Sequence, residues 1–102
     1  MKHKRTKIIC TIGPATGTFS SIKKLHEAGM NVARLNMSHS DHKNAKKIID
    51  RIKKLNKTIH NPVGILLDTQ GPEIRTGDTS QVVNLEPGQL VSFTIRDEVD
   101  VE

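Results

Sequence analysis

The sequence has no Trp, no Tyr and only two Phe in 102 residues, so large aromatic anchors are nearly absent. An aromatic ribonucleoprotein signature for nucleic acid is accordingly absent. A single cysteine, Cys10, rules out an internal disulfide framework. It sits in the apolar run Ile8 to Ile12, where a small buried core residue is the simpler reading than a catalytic thiol. That run follows a basic amino terminus but is far too short for a signal peptide or a membrane span. The chain is therefore expected in the cytoplasm, away from membranes.

What is present is a lean globular composition, 34% apolar and 26% charged, with a net charge of +5. The length suits one small domain or a piece of a larger one. Basic runs lie at Lys2 to Lys7 and Arg51 to Lys57. No helix-turn-helix, zinc-finger or ribonucleoprotein signature accompanies them, so nucleic acid is not an expected partner. They read as a solvated helix face and a frayed terminus, and a phosphorylated small molecule would satisfy the same charge balance.

Along the chain, Lys7 to Ile12 has the β-branched richness of a buried strand, broken by Gly13-Pro14. Thr18 to Ser21 offers hydroxyl caps for a helix carrying Phe19, Ile22, Leu25 and Ala28, closed by Gly29. A second strand runs from Val32 to Met37. Ser40 or Asp41 caps the next helix, whose apolar positions Ala45, Ile48, Ile49, Ile52, Leu55 and Ile59 recur at helical spacing. Asn61-Pro62 ends it, and Val63 to Asp68 makes a third strand. Strand and helix alternate with short connections, which predicts parallel strands with right-handed crossovers. After Gly77 the texture changes. Val82, Leu85 and Leu90 to Ile95, around a Glu86-Pro87-Gly88 turn, predict short strands, with a boundary near Thr76 to Thr79.

The chemistry gathers at the ends of the second and third strands. Arg34, Asn36 and, if the strand continues, Ser38 share one face, while Ala33, Leu35 and Met37 share the other. An Arg there needs a partner, because an unpaired buried charge is costly. Its planar fork suits a phosphate or carboxylate ligand, and a structural pairing to a carboxylate of the same fold is equally open. Asn36, Ser38, Asp68 and a backbone carbonyl near Thr69 form an oxygen-only set suited to a hard cation rather than zinc or copper. His39 has no second histidine at metal spacing and reads as a ligand contact or loop hydrogen bond. The remaining histidines, His3, His26, His42 and His60, are expected to face solvent. Gly71-Pro72 turns sharply, after which Glu73 and Arg75 are expected to reach back over the site.

Three segments, Lys7 to Ala15, Gly29 to His39 and Leu66 to Gly77, resemble in order and spacing the first three strand-and-loop units of the pyruvate kinase family. The resemblance covers residues 6 to 77. It implies an α/β fold: the first three strands and two helices of a TIM (β/α)8 barrel over residues 1–77. Residues 78–102 would then begin the inserted β-rich B domain. The implied activity is phosphoryl transfer from phosphoenolpyruvate to ADP, giving pyruvate and ATP in glycolysis, with Mg²⁺ and K⁺. A homotetramer is implied for the full-length protein. By position, Arg34 resembles the substrate-phosphate Arg. Asn36, Met37, Ser38, His39 and Arg75 match nucleotide-contacting positions, and Asn36, Ser38, Asp68 and Thr69 match the K⁺ ligands. Met37, Ser40 and Gln70 depart from the Phe, Gly and Lys common there. The family's catalytic Lys and Mg²⁺-binding carboxylates lie further along and have no counterpart among these residues, so this stretch alone is expected to be inactive. A different reading is a naturally truncated, non-catalytic module that binds phosphoanions or a partner.

Overall fold

The computed structural model describes residues 4–78 and 81–95. It divides the chain into two compact units, Met1–Pro72 and Glu73–Glu102. The division falls earlier than the boundary expected after Gly77.

The first unit is β1 (Ile9–Thr11), α1 (Phe19–Ala28), β2 (Val32–Asn36), α2 (His42–Asn56) and β3 (Gly64–Asp68). The strands form one parallel sheet in the order β1-β2-β3. Three parallel strands joined by two helices are the arrangement that begins an α/β barrel. Each strand is shorter than its apolar run. The extra residues serve as connections, and Asn31 shows why. Its side-chain oxygen accepts from the Ile8 N–H at 2.9 Å, and its carbonyl accepts from the Gly64 N–H at 2.9 Å. One residue thus sets the starting line of all three strands.

The helices begin and end where the chemistry allows. Thr18 caps α1, with its hydroxyl accepting from the Ser21 N–H at 3.2 Å, and Asp41 caps α2 through the Asn44 N–H at 2.6 Å. Gly29 ends α1 at φ 118°, a left-handed conformation that a Cβ disfavours. The second helix stops at Asn56, short of Ile59. The Asn56 amide is turned to Val63, donating to its carbonyl at 2.9 Å and accepting from its N–H at 2.8 Å, so the chain reverses there and starts β3. Ile59 still packs against the core from outside the helix.

That core lies between the sheet and the two helices. Ile22, Ala33, Leu35, Ile48, Ile52, Leu55 and Val63 are all buried in it. The apolar face of β2 therefore meets the helices, as its alternation predicts. Lys54 Nζ stands 5.1 Å from the centre of the Phe19 ring, a cation–π contact between the helices. Burial thins out toward β3, where Ile65 and Leu67 remain more than a third exposed.

The second unit differs from expectation. Among described residues 81–95 no strand forms. A turn does form: the Gln89 N–H donates to the Glu86 carbonyl at 3.1 Å, and Gly88 takes φ 82°. The flanking apolar side chains Leu85, Leu90, Phe93 and Ile95 are exposed. Strand formation requires a ladder partner as well as a suitable pattern, and the described residues supply none.

Candidate active site

The parallel register places chemistry at the carboxyl ends of the strands. Thr11, Arg34 and Leu66 align across the sheet, and Asn36 lies opposite Asp68. All belong to the face turned away from the helices. Arg34 extends over that face. Its Nε donates to Asp68 Oδ2 at 3.0 Å, an η-nitrogen makes a second bond to the same oxygen, and the other donates to Thr11 Oγ at 3.0 Å. The Arg34 and Asp68 side chains are 31% and 46% exposed, so solvent screens the pair and its worth lies in geometry.

The question left open by the sequence therefore has a structural answer: Arg34 is paired to a carboxylate of the same fold. It is not used up by that pairing. A guanidinium has five N–H donors, and three are engaged, leaving two for a ligand. Thr11 was not singled out from the sequence. Its signal was the register, since Cys10 and Ile12 turn to the core side and Thr11 must share the face of Arg34.

Beyond Asn36 the strand ends, so Ser38 does not continue its face. The chain turns instead. The Ser38 N–H donates to Asn36 Oδ1 at 3.1 Å, the His39 N–H to the Asn36 carbonyl at 3.3 Å, and the Met37 N–H to the Asp68 carbonyl at 3.0 Å. The Asn36 amide oxygen thus ties the turn, a common use of Asn at such positions. The Met37 side chain packs against the core, and its N–H is engaged by the Asp68 carbonyl. Ser38 is half-buried and His39 exposed at the turn. Met37, Ser40, His42, Ala45, Lys46, Ile49, Leu67, Thr69 and Gln70 line an open cavity of about 510 Å³. Arg75 belongs to the second unit, where its Nε lies 2.9 Å from Glu73 Oε1.

The other histidines divide. His42 and His60 are exposed as expected, whereas His26 is half-buried with an enclosed Nδ1 that has no hydrogen-bond partner. His3 lies outside the described residues.

The oxygen donors expected to hold a cation, on Asn36, Ser38, Asp68 and the Thr69 carbonyl, come from one turn and the neighbouring strand end. Both Arg34 bonds fall on Asp68 Oδ2, so Oδ1 is not engaged by the guanidinium. One carboxylate among neutral oxygens suits a weakly polarising monovalent ion. Mg²⁺ is commonly held by one or two carboxylates together with substrate phosphates, and the one carboxylate here, Asp68, is already bound to Arg34 through Oδ2. Among the described residues, no cluster of three or more His, Cys, Asp or Glu side chains forms.

The family model described as "Pyruvate kinase, barrel domain" matches residues 3–102. The chain belongs to the pyruvate kinase family. Plastidial pyruvate kinase 2 of Arabidopsis thaliana is 56% identical over 94 residues, covering 91% of this chain and 16% of the relative. Pyruvate kinase of Chlamydia muridarum is 47% identical over 93 residues, covering 91% and 19%. Crystal structures of Cryptosporidium parvum pyruvate kinase align at a TM-score of 0.63 with 49% identity, covering 67% of this chain and 14% of that one. One such structure is described as a complex with ADP. The chain thus spans less than a fifth of the length of the curated relatives named here. No helix among the described residues is long and apolar enough to cross a membrane.

Proposed function

We propose that this chain is the amino-terminal portion of a cytoplasmic, homotetrameric pyruvate kinase that transfers the phosphoryl group of phosphoenolpyruvate to ADP, yielding pyruvate and ATP in glycolysis. In this reading residues 1–77 begin the barrel and residues 78–102 begin the B domain. The observation that carries it is Arg34. The side chain is oriented by Thr11 and Asp68 at the carboxyl end of a parallel sheet, with two N–H groups to spare. Parallel α/β barrels build their sites at that end.

Phosphoryl transfer leaves little covalent work to the protein and depends on positioning and charge. Arg34 holds the substrate phosphate with its remaining donors. In this reading Asn36, Met37, Ser38 and His39 lie on the turn that meets the nucleotide phosphates, and the family resemblance gives Arg75 the same role. Asp68 introduces a problem, because a phosphate brought to Arg34 meets a carboxylate. K⁺ held by Asn36, Ser38, Asp68 and the Thr69 carbonyl would offset that repulsion. Mg²⁺, which the family relationship implies, has no fitting set among the described residues, and its ligands are assigned to the rest of the protein.

The test is Arg34→Lys in the full-length protein carrying these residues. Lysine cannot bind Thr11, Asp68 and a phosphate from fixed fork positions. Losing two charge-assisted hydrogen bonds predicts a fall in kcat/KM for phosphoenolpyruvate of about a hundredfold. An unchanged value would remove Arg34 from the site. Residues 1–102 alone are expected to show no ADP-dependent turnover of phosphoenolpyruvate, so measurable turnover by this stretch would refute the assignment of essential groups to other parts of the protein.

A further inference from the structure

Most cations of α2 stand in solvent or pair locally, as Lys46 Nζ does with Asp50 Oδ2 at 2.6 Å. Arg51 behaves differently. It is half-buried, and its guanidinium leaves the helix to donate to the Gly17 carbonyl at 2.5 Å. Gly17 is buried and ends the loop that joins β1 to α1. A Cβ there would sit 3.4 Å from the Gly13 carbonyl oxygen and 3.9 Å from the Ile48 side chain. Ile48, one turn before Arg51, thus forms the floor of the loop while Arg51 holds its last carbonyl.

The loop is otherwise closed on itself. The Gly13 N–H donates to Thr16 Oγ at 3.0 Å, and the Thr16 N–H donates to the Gly13 carbonyl at 3.1 Å. Those bonds fix its shape but not its place. Its placement comes from two ends. At one end the Ile12 N–H donates to the Arg34 carbonyl at 2.9 Å, one residue after Thr11, which holds the Arg34 guanidinium. At the other end stands Arg51.

We propose that Arg51 is a positioning residue for the site at the strand ends, holding the Gly13–Gly17 loop where it borders the phosphate-binding position of Arg34. This rests on the phosphoryl-transfer reading. Arg51 touches no reacting atom. Its role is to satisfy a buried carbonyl that no other described side chain reaches.

Arg51→Met and Arg51→Lys in the full-length protein provide the test. Methionine keeps an apolar stem and removes the donor, while lysine keeps a charged donor able to reach a single carbonyl. For Arg51→Met, amide hydrogen exchange of residues 16–20 is expected to rise about tenfold, as loss of one charge-assisted bond allows. The KM for at least one phosphorylated substrate is expected to rise severalfold, with kcat within about twofold. Arg51→Lys is expected to recover most of both effects. A merely structural Arg51 would lower the urea midpoint without separating KM from kcat. Unchanged KM values in an active Arg51→Met enzyme would overturn the proposal, whether or not the loop loosens, and so would a lysine variant no better than methionine. A wild-type enzyme without turnover would instead overturn the phosphoryl-transfer reading, and this role with it.

Discussion

The two units carry similar apolar patterns with opposite results. In the first, Ile22, Ile52 and Leu55 are at most 1% exposed. In the second, Leu90 and Ile95 are 96% and 103% exposed. Composition does not separate them, since both place β-branched and aliphatic residues at regular intervals. What separates them is the availability of a partner. The apolar stripe of α2 meets the buried face of β2 within the same unit. The alternation around the Glu86 turn meets no ladder among the described residues. A hydrophobic period therefore states which face a segment can bury, and the neighbouring elements decide whether it does.

The largest expected effect tests that contrast directly. Ile52→Ala removes a side chain with no exposed surface and leaves a cavity between α2 and the sheet. A loss of about 2–5 kcal/mol is expected in urea unfolding. Leu90→Ala removes a side chain already in solvent and is expected to stay within about 0.5 kcal/mol. Equal losses at the two positions would mean that Leu90 is buried in the folded protein, and the contrast between the units would fall.

How much of this was legible beforehand follows the same division. The βαβαβ order, both helix caps and the two faces of β2 were readable because each rests on local chemistry: a hydroxyl before a helix, a glycine after one, a period of two. The Arg34–Asp68 pair was half legible. Both residues could be placed at strand ends, but their meeting depends on a parallel register that Asn31 sets from a loop. Thr11 was hidden for the same reason. The turn at Met37 to Ser38 was missed because periodicity does not say where a strand stops. Arg51 was unreadable as a clamp, since on a helix so rich in lysine it looks like one more solvated cation, and only the packing of Gly17 against Ile48 brings its target within reach.

A smaller effect concerns the start of α2. Asp41→Ala removes the acceptor for the Asn44 N–H and is expected to cost about 1 kcal/mol, with Asp41→Asn recovering most of it. Because α2 supplies both Ile52 and Arg51, the loss should also raise exchange in the Gly13–Gly17 loop. A cap mutation that loosens the second unit instead would contradict the division of the chain.

The smallest effect separates local charge pairing in the two units. On α2 the Lys46 ammonium, hydrogen-bonded to Asp50, holds that carboxyl below its usual range. A lowered folded-state pKa means that the pair's contribution is present above the unfolded carboxylate pKa and is lost as pH falls through the folded value. Asp50→Asn should therefore lower the urea midpoint slightly near neutral pH and not at all in strong acid. The difference should also fade at 1 M salt, where the screening length is about 3 Å. In the second unit, Glu73 and Arg75 pair at 2.9 Å across a described segment that forms no helix or strand. No regular element depends on that contact, so Glu73→Gln is expected to leave the midpoint unmoved at either pH. A larger shift from Glu73→Gln than from Asp50→Asn would show that the second unit carries cooperative structure through this pair.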